Sequence, residues 1–424
     1  MDFIQQISNQ RAIEALRNGV PNHDAVKALG CNQPEIEEAF MIQLRKAEEA
    51  MQSGQGKNSG IIIAGDFGSG KSHLLEYLTQ IAFKQNFVCS KIIISKETPL
   101  FDPARLYRAA AESAVISGKC GNAMTEVITS LANKLGTRDY DSFYQWTHND
   151  AGINAVFGAI LHLYRLLSND PEVRNRIIQF LNGDKINIAE IRRLLRICGD
   201  QAAYRFDKAS ALDFAMQKFK FVSRLIGAAG YSGWVLFFDE IELIARYSLR
   251  QRAKSYAEIA RWLGKLSESD MAGIASVLAI TEDYTQAVLN EKDDLEKAPG
   301  RLRAANNYFD QQLAIAAEKG IGAINHDLMM LNRPDREEVS DTFRKVKEIY
   351  AGAYGWEPNQ CLDIDQLTST RMRQHIRGWI TGWDLKRLDE DYQPDIQTER
   401  LILHYDEDAD LEIASDEDLA DNFS

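Results

Sequence analysis

The apolar positions change period along the chain, and each change marks a boundary. Over residues 1–55 they keep helical spacing. Ile13, Leu16 and Val20 share one face, Asn22 precedes a short run at 25–29 ended by Gly30, and 35–51 is a third amphipathic stretch. After the polar linker SGQGKNSG, residues 60–64 (GIIIA) are continuously apolar and rich in β-branched side chains, the signature of a buried parallel strand. A glycine-rich turn, 65–72, and a helical run, 72–83, follow. The strand pattern returns at 87–95, 234–238, 274–280 and 327–331. Pro103 opens a helix expected to pass Ala114, and 256–266 is another helix between strands.

Residues 115–215 carry no strong strand signal, while 155–167, 173–181 and 188–197 all have helical spacing. A further helix is expected at 211–229, with Ser210 as its N-cap. After Pro334 the pattern is helical at 336–350, 364–367 and 374–385. Strands alternating with helices predict an α/β core with a five-stranded parallel sheet. The expected organisation is an N-terminal helical segment (1–55), a core made of 56–114 and 216–333, a helical insertion (115–215), a helical lid (334–390) and a polar, acidic tail (391–424).

Composition fits an ordinary globular protein: 45% hydrophobic and 26% charged residues. No apolar run is long enough for a membrane span and no signal peptide is visible, so a cytoplasmic protein is expected. Cys31, Cys89, Cys120, Cys198 and Cys361 form no CxxC pair, which argues against a zinc site or a disulfide framework. The net charge is −13, and nine acidic residues with no Lys or Arg fall between Asp406 and Asp421. The body is thus only mildly acidic. The tail is expected to be solvated, with nucleic-acid mimicry a distant alternative.

The chemistry concentrates in two motifs. Gly65-Asp66-Phe67-Gly68-Ser69-Gly70-Lys71-Ser72 matches GxxxxGK[ST], the Walker A phosphate loop, in the required place between a strand and a helix. Its glycines let successive N–H groups point at phosphate oxygens, and the following helix aims its positive end at the same anion. Lys71 can reach the β- and γ-phosphates, Ser72 can ligate Mg²⁺, and His73 follows in the helix. The second motif is a buried strand, WVLFF, ending in Asp239 and Glu240, a Walker B pattern. Asp239 would hold Mg²⁺ and Glu240 would activate the attacking water. Glu242 is read as a charge at a helix start.

Weaker candidates surround these. Thr281 ends the fourth strand and could touch the γ-phosphate or serve only as a cap. Arg301 and Arg303 could act as fingers toward a neighbouring subunit. Among Arg371, Arg373 and Arg377, Arg373 is favoured to contact ATP from the lid. Arg246, Arg250, Arg252, Lys254 and Arg261, interleaved with Tyr247 and Tyr256, could grip a nucleic-acid backbone or form a solvated helix face. No HExxH or GxSxG occurs, so zinc-protease and serine-hydrolase readings lack support.

These strands and motifs resemble the AAA+ branch of P-loop NTPases, especially its origin-recognition-like group. The resemblance implies strand order 5-1-4-3-2, a sensor on strand four and a helical lid. RAIEALRNGVPNHDAVKALG, GDFGSGKSHLL, FFDEIELI and WDLKRL are further similar to the ATP-binding P-loop proteins of bacterial phage-exclusion (BREX-type) operons, of the BrxD kind. That likeness implies Gly19, Val20 and Pro21 near the adenine. It also implies action in a homo-oligomer or hetero-complex with helicase, nuclease or methylation components, with DNA a candidate partner. The expected function is a Mg²⁺-dependent ATPase in antiviral defence. The alternatives are a nucleotide-gated adaptor without steady turnover and, more remotely, a small-molecule kinase.

Overall fold

The computed structural model describes residues 3–119, 121–150, 152–167, 169–267, 270–305, 307–358, 372–391, 405–408 and 411. Cys120, Cys361, Arg371, the expected helix at 364–367 and most of the acidic tail lie outside them.

Three helices open the chain: α1 (Phe3–Asn18), α2 (His23–Leu29) and α3 (Pro34–Ser53). Asn22 caps α2 by accepting from the Ala25 N–H, and Gly30 ends it in a conformation with φ of 74°. Then come β1 (Ser59–Ala64), α4 (Lys71–Lys84), β2 (Phe87–Ile93) and α5 (Pro103–Glu112). The last stops short of Ala114 because Val115 turns to bridge Cys89 in antiparallel fashion. The insertion comprises α6 (Ala123–Ala132), α7 (Arg138–Asn149), α8 (Ala155–Leu167), α9 (Pro171–Leu181) and α10 (Ile188–Cys198). α11 (Ala211–Ala228), capped by Ser210 as expected, leads into β3 (Gly233–Asp239) and a 3-10 turn, Ile241–Arg246. α12 (Leu249–Trp262), β4 (Ile274–Ile280), α13 (Asp294–Arg303), α14 (Tyr308–His326), β5 (Leu328–Met330), α15 (Arg336–Tyr354) and α16 (Met372–Leu388) complete it.

The five strands form one all-parallel sheet in the order β2-β3-β4-β1-β5; counted from the β5 edge this is 5-1-4-3-2. Both faces are covered, which explains the unbroken apolar strands. On one face Ile62, Trp234, Leu236 and Leu278 join a core that continues through the insertion to Phe157, Phe180 and Leu195. On the other, Ile63, Val235, Phe237 and Val277 pack on Phe40 of α3 and on Leu74 and Leu78 of α4. A third core unites the chain's two ends: Ile13 and Leu16 of α1 with Val346 and Tyr350 of α15 and Trp379 and Trp383 of α16. Arg17 seals it with a salt bridge of 2.9 Å to Asp384, which also accepts from the Tyr350 hydroxyl at 2.9 Å. This third core hangs the C-terminal helices over the carboxyl edge of the sheet, where ligands of open α/β sheets bind.

Candidate nucleotide site at the sheet edge

Register brings the candidate residues together. Ala64 of β1 lies beside Ile280 of β4, and the Gly65 N–H donates to the Ile280 carbonyl at 3.3 Å. Gly65 and Thr281 are thus neighbours at the strand ends. The loop then curls through Gly68 and Gly70 at φ of 79° and 105°, values a side chain would strain. A Cβ at Gly65 would sit 2.5 Å from Ser69 Oγ, so a side chain there would force that hydroxyl to move. The Ser69 N–H donates to the Asp66 carbonyl, and the Phe67 N–H to Asp66 Oδ1 at 2.7 Å.

Lys71 starts α4 with its side chain folded back, buried, donating from Nζ to the carbonyls of Gly65 at 2.8 Å and Asp66 at 3.3 Å. The cation is held over the loop by these two carbonyls, and among the described residues no carboxylate forms a salt bridge with it. Ser72 Oγ donates to Asp239 Oδ2 at 3.0 Å, and Lys91 of β2 forms a salt bridge with the same oxygen at 3.1 Å. Glu240 has left-handed backbone, φ of 61°, a strained state for a non-glycine residue and one concentrated at functional sites. Partial burial and the Asp239 charge raise the Glu240 pKa, while Lys91, Lys71 and Arg373 pull it back.

Glu242 lies in the first turn of the segment Ile241–Arg246, where its reading as a helix-start charge puts it. It is only 6% exposed, its Oε2 has no hydrogen-bond partner, and burial pushes its pKa up to about 7 against the pull of Lys71. It is a buried carboxyl at that helix start, within electrostatic reach of Asp239 and Glu240. Its place two residues beyond Asp239-Glu240 was the available signal. Lys91 gave no signal at all; strand register alone carries it to Asp239.

A cavity of about 600 Å³ opens beside the loop. Gly68, Ser69, Gly70 and His73 line it from the loop side, Gly19, Pro21 and Gly30 from the N-terminal helices, and Arg373 from α16. His73 bonds the Gly30 carbonyl at 2.7 Å through Nε2, and burial lowers its pKa. The Arg373 guanidinium lies 5.7 Å over the Phe67 ring; burial and Arg377 lower its pKa, opposed by Asp239 and Glu240. Arg373 thus reaches the loop from α16. Val20, by contrast, is 67% exposed and outside the cavity lining, because the turn at Gly19 (φ of 70°) directs it outward. Arg303 is on the surface at the end of α13, paired with Glu318 of α14.

Thr281 is buried, but its hydroxyl meets the Tyr405 hydroxyl at 2.9 Å, a contact with no sequence signal. The basic stretch is corrected too. Tyr247 and Tyr256 are in the core, and Arg246, Arg250, Arg252 and Arg261 are paired with Asp408, Asp310, Asp294 and Glu258. The aromatic spacing that suggested base stacking reports a helix packed on the core, and the arginines neutralise acids of the same chain.

The structure thus gathers a glycine-rich loop, Asp239, Glu240 and Glu242, and Arg373 of α16 at the carboxyl edge of a parallel α/β sheet. The chain belongs to the BREX system ATP-binding protein BrxC/D family, matched over residues 4–382. Neither a curated relative nor a solved structure matches it. No described helix is long and apolar enough to cross a membrane, and no cluster of three or more His, Cys, Asp or Glu residues suited to a metal occurs among the described residues.

Proposed function

We propose that the chain is a Mg²⁺-dependent ATPase of AAA+ P-loop type, acting in complex with other components of a BREX phage-defence system. The observation that carries this is Lys71 Nζ pinned over the glycine loop at 2.8 Å from the Gly65 carbonyl, next to the Ser72–Asp239 pair at 3.0 Å, in a loop whose Gly68, Ser69 and Gly70 line a cavity of about 600 Å³. Family membership and the sheet order support the same reading.

The triphosphate lies on the loop N–H groups, with Lys71 against its β- and γ-oxygens and the base toward Gly19 and Pro21. Ser72 and Asp239 offer hard oxygen donors, a hydroxyl and a carboxylate, and would hold Mg²⁺, which would supply charge neutralisation at the phosphates. Glu240 orients a water whose oxygen bonds the γ-phosphorus as the bridging β,γ-oxygen bond breaks, and it takes the released proton. Its raised pKa makes it a stronger base than a solvated glutamate. Arg373 stabilises the phosphate charge from the lid and signals occupancy to α15 and α16. Thr281 is the polar contact from β4.

Phosphate release measured against protein concentration, with wild type, Lys71→Ala and Glu240→Gln, tests this. Binding without turnover in Glu240→Gln, and weak binding in Lys71→Ala, are expected. Equal turnover in wild type and Glu240→Gln removes Glu240 from this role.

A further inference from the structure

Residues 405–408 return from the acidic tail to the catalytic edge and anchor there at several points. The Tyr405 hydroxyl donates to Asp283 Oδ1 at 2.7 Å and meets Thr281 Oγ1 at 2.9 Å. Lys292 Nζ donates to the Tyr405 carbonyl, and the Tyr405 ring packs edge-on against Tyr284, 6.2 Å between centroids. Glu407 accepts from Arg252 at 2.6 Å, an arginine already held by the buried Asp294. Asp408 pairs with Arg246 at 2.5 Å and its N–H donates to the Arg246 carbonyl at 3.0 Å. Leu411 packs on the core beyond.

Counting protons shows what this does to Thr281. A phenol has one proton, and a carboxylate can only accept, so Tyr405 gives its proton to Asp283. Burial, with Asp283 and Glu242, holds that phenol above its ordinary range, so it keeps the proton. The Thr281 hydroxyl must then donate to the Tyr405 oxygen. Its single donor is engaged, and the remaining lone pairs repel an anionic phosphate.

We propose that Tyr405–Asp408 is an autoinhibitory strap: it occupies the hydroxyl of Thr281 and must release it before the site turns over efficiently. This rests on the ATPase reading above, and it makes Tyr405 a positioning residue that acts through Thr281. The acidic partners on Arg246 and Arg252 set how firmly the strap is held. A BREX partner that binds the strap, or those two arginines, would switch the site on.

The test uses full-length protein, phosphate release and binding of a nonhydrolysable ATP analogue. Tyr405→Phe keeps the ring but removes the hydroxyl, and is expected to raise turnover roughly twofold or more with no loss of analogue affinity. Glu407→Gln loosens the strap without touching the site and is expected to give a smaller rise in the same direction. Tyr405→Phe in a Thr281→Ala background is expected to give no rise. A protein merely weakened by these changes would lose rate, so a gain separates regulation from packing. Equal or lower turnover in Tyr405→Phe with the analogue still bound overturns the strap and leaves the nucleotide reading standing. Failure of wild type to bind the analogue overturns both.

Discussion

In the insertion, Asn122, Thr137, Asp170 and Asn187 each cap a helix by accepting from its first-turn N–H groups. Its polar side chains are likewise paired. His162 links the Tyr144 hydroxyl at 2.9 Å to Asp200 at 2.8 Å, and His148 bonds Tyr204 at 2.8 Å. At the sheet edge the opposite holds. Ser69 Oγ and Glu242 Oε2 are buried without partners, Glu240 sits in left-handed backbone, and Asp239, Glu240 and Glu242 crowd like charges together. Among the described residues, no buried, unpartnered side-chain atom of this kind occurs between 115 and 210. Chains satisfy local rules wherever nothing but stability is at stake, and depart from them where chemistry requires groups ready for a ligand.

That contrast can be broken by substitution, since edge residues should cost function and insertion residues stability. The largest effect is expected from Glu240→Gln. Turnover should fall by about 10²–10⁴-fold with nucleotide affinity retained, as seen by phosphate release and analogue binding. Lys71→Ala comes next, weakening ATP binding by about 10–100-fold, or roughly 1.4–2.7 kcal/mol, in a titration. Its unfolding midpoint in denaturant should hardly move.

The third effect is one of pH. Glu242 titrates at about 7 in the folded chain, above its unfolded value, so the folded state binds more protons between the two. The stability it contributes is fully present below the unfolded pKa and is lost as pH rises to about 7. Nucleotide-free protein should lose roughly 1–3 kcal/mol across that window, and Glu242→Gln should flatten the slope in denaturant titrations. The smallest effect is Asp170→Ala, which removes the cap of α9 and should cost about 1 kcal/mol while leaving ATP turnover unchanged.

The strands were legible because burial on both faces leaves continuous apolar runs, and the tight loop after β1 because closely spaced glycines mark it. α6 and α7 were not singled out. In α7 the stretch RDYDSFYQWTHN carries its apolar face on tyrosine, phenylalanine and tryptophan among many polar residues, which blurs the period. Arg373 was legible as one of three arginines near the lid, whereas Val20 was misplaced because one left-handed glycine decides its direction. The basic stretch misled for a general reason. Local sequence shows the arginines but not their acidic partners, which come from distant segments: Asp294, Asp310 and Asp408. Tyr405 on Thr281 is the extreme case, a contact across most of the distance from β4 to the C-terminus.

A crystal structure with a nonhydrolysable ATP analogue and Mg²⁺ tests the central claim most directly. The prediction is phosphate density inside the 65–72 loop, with Lys71 Nζ moved from the Gly65 carbonyl onto a phosphate oxygen and Arg373 turned to the same group. An empty loop at saturating analogue, with Lys71 still on the Gly65 and Asp66 carbonyls, would contradict it.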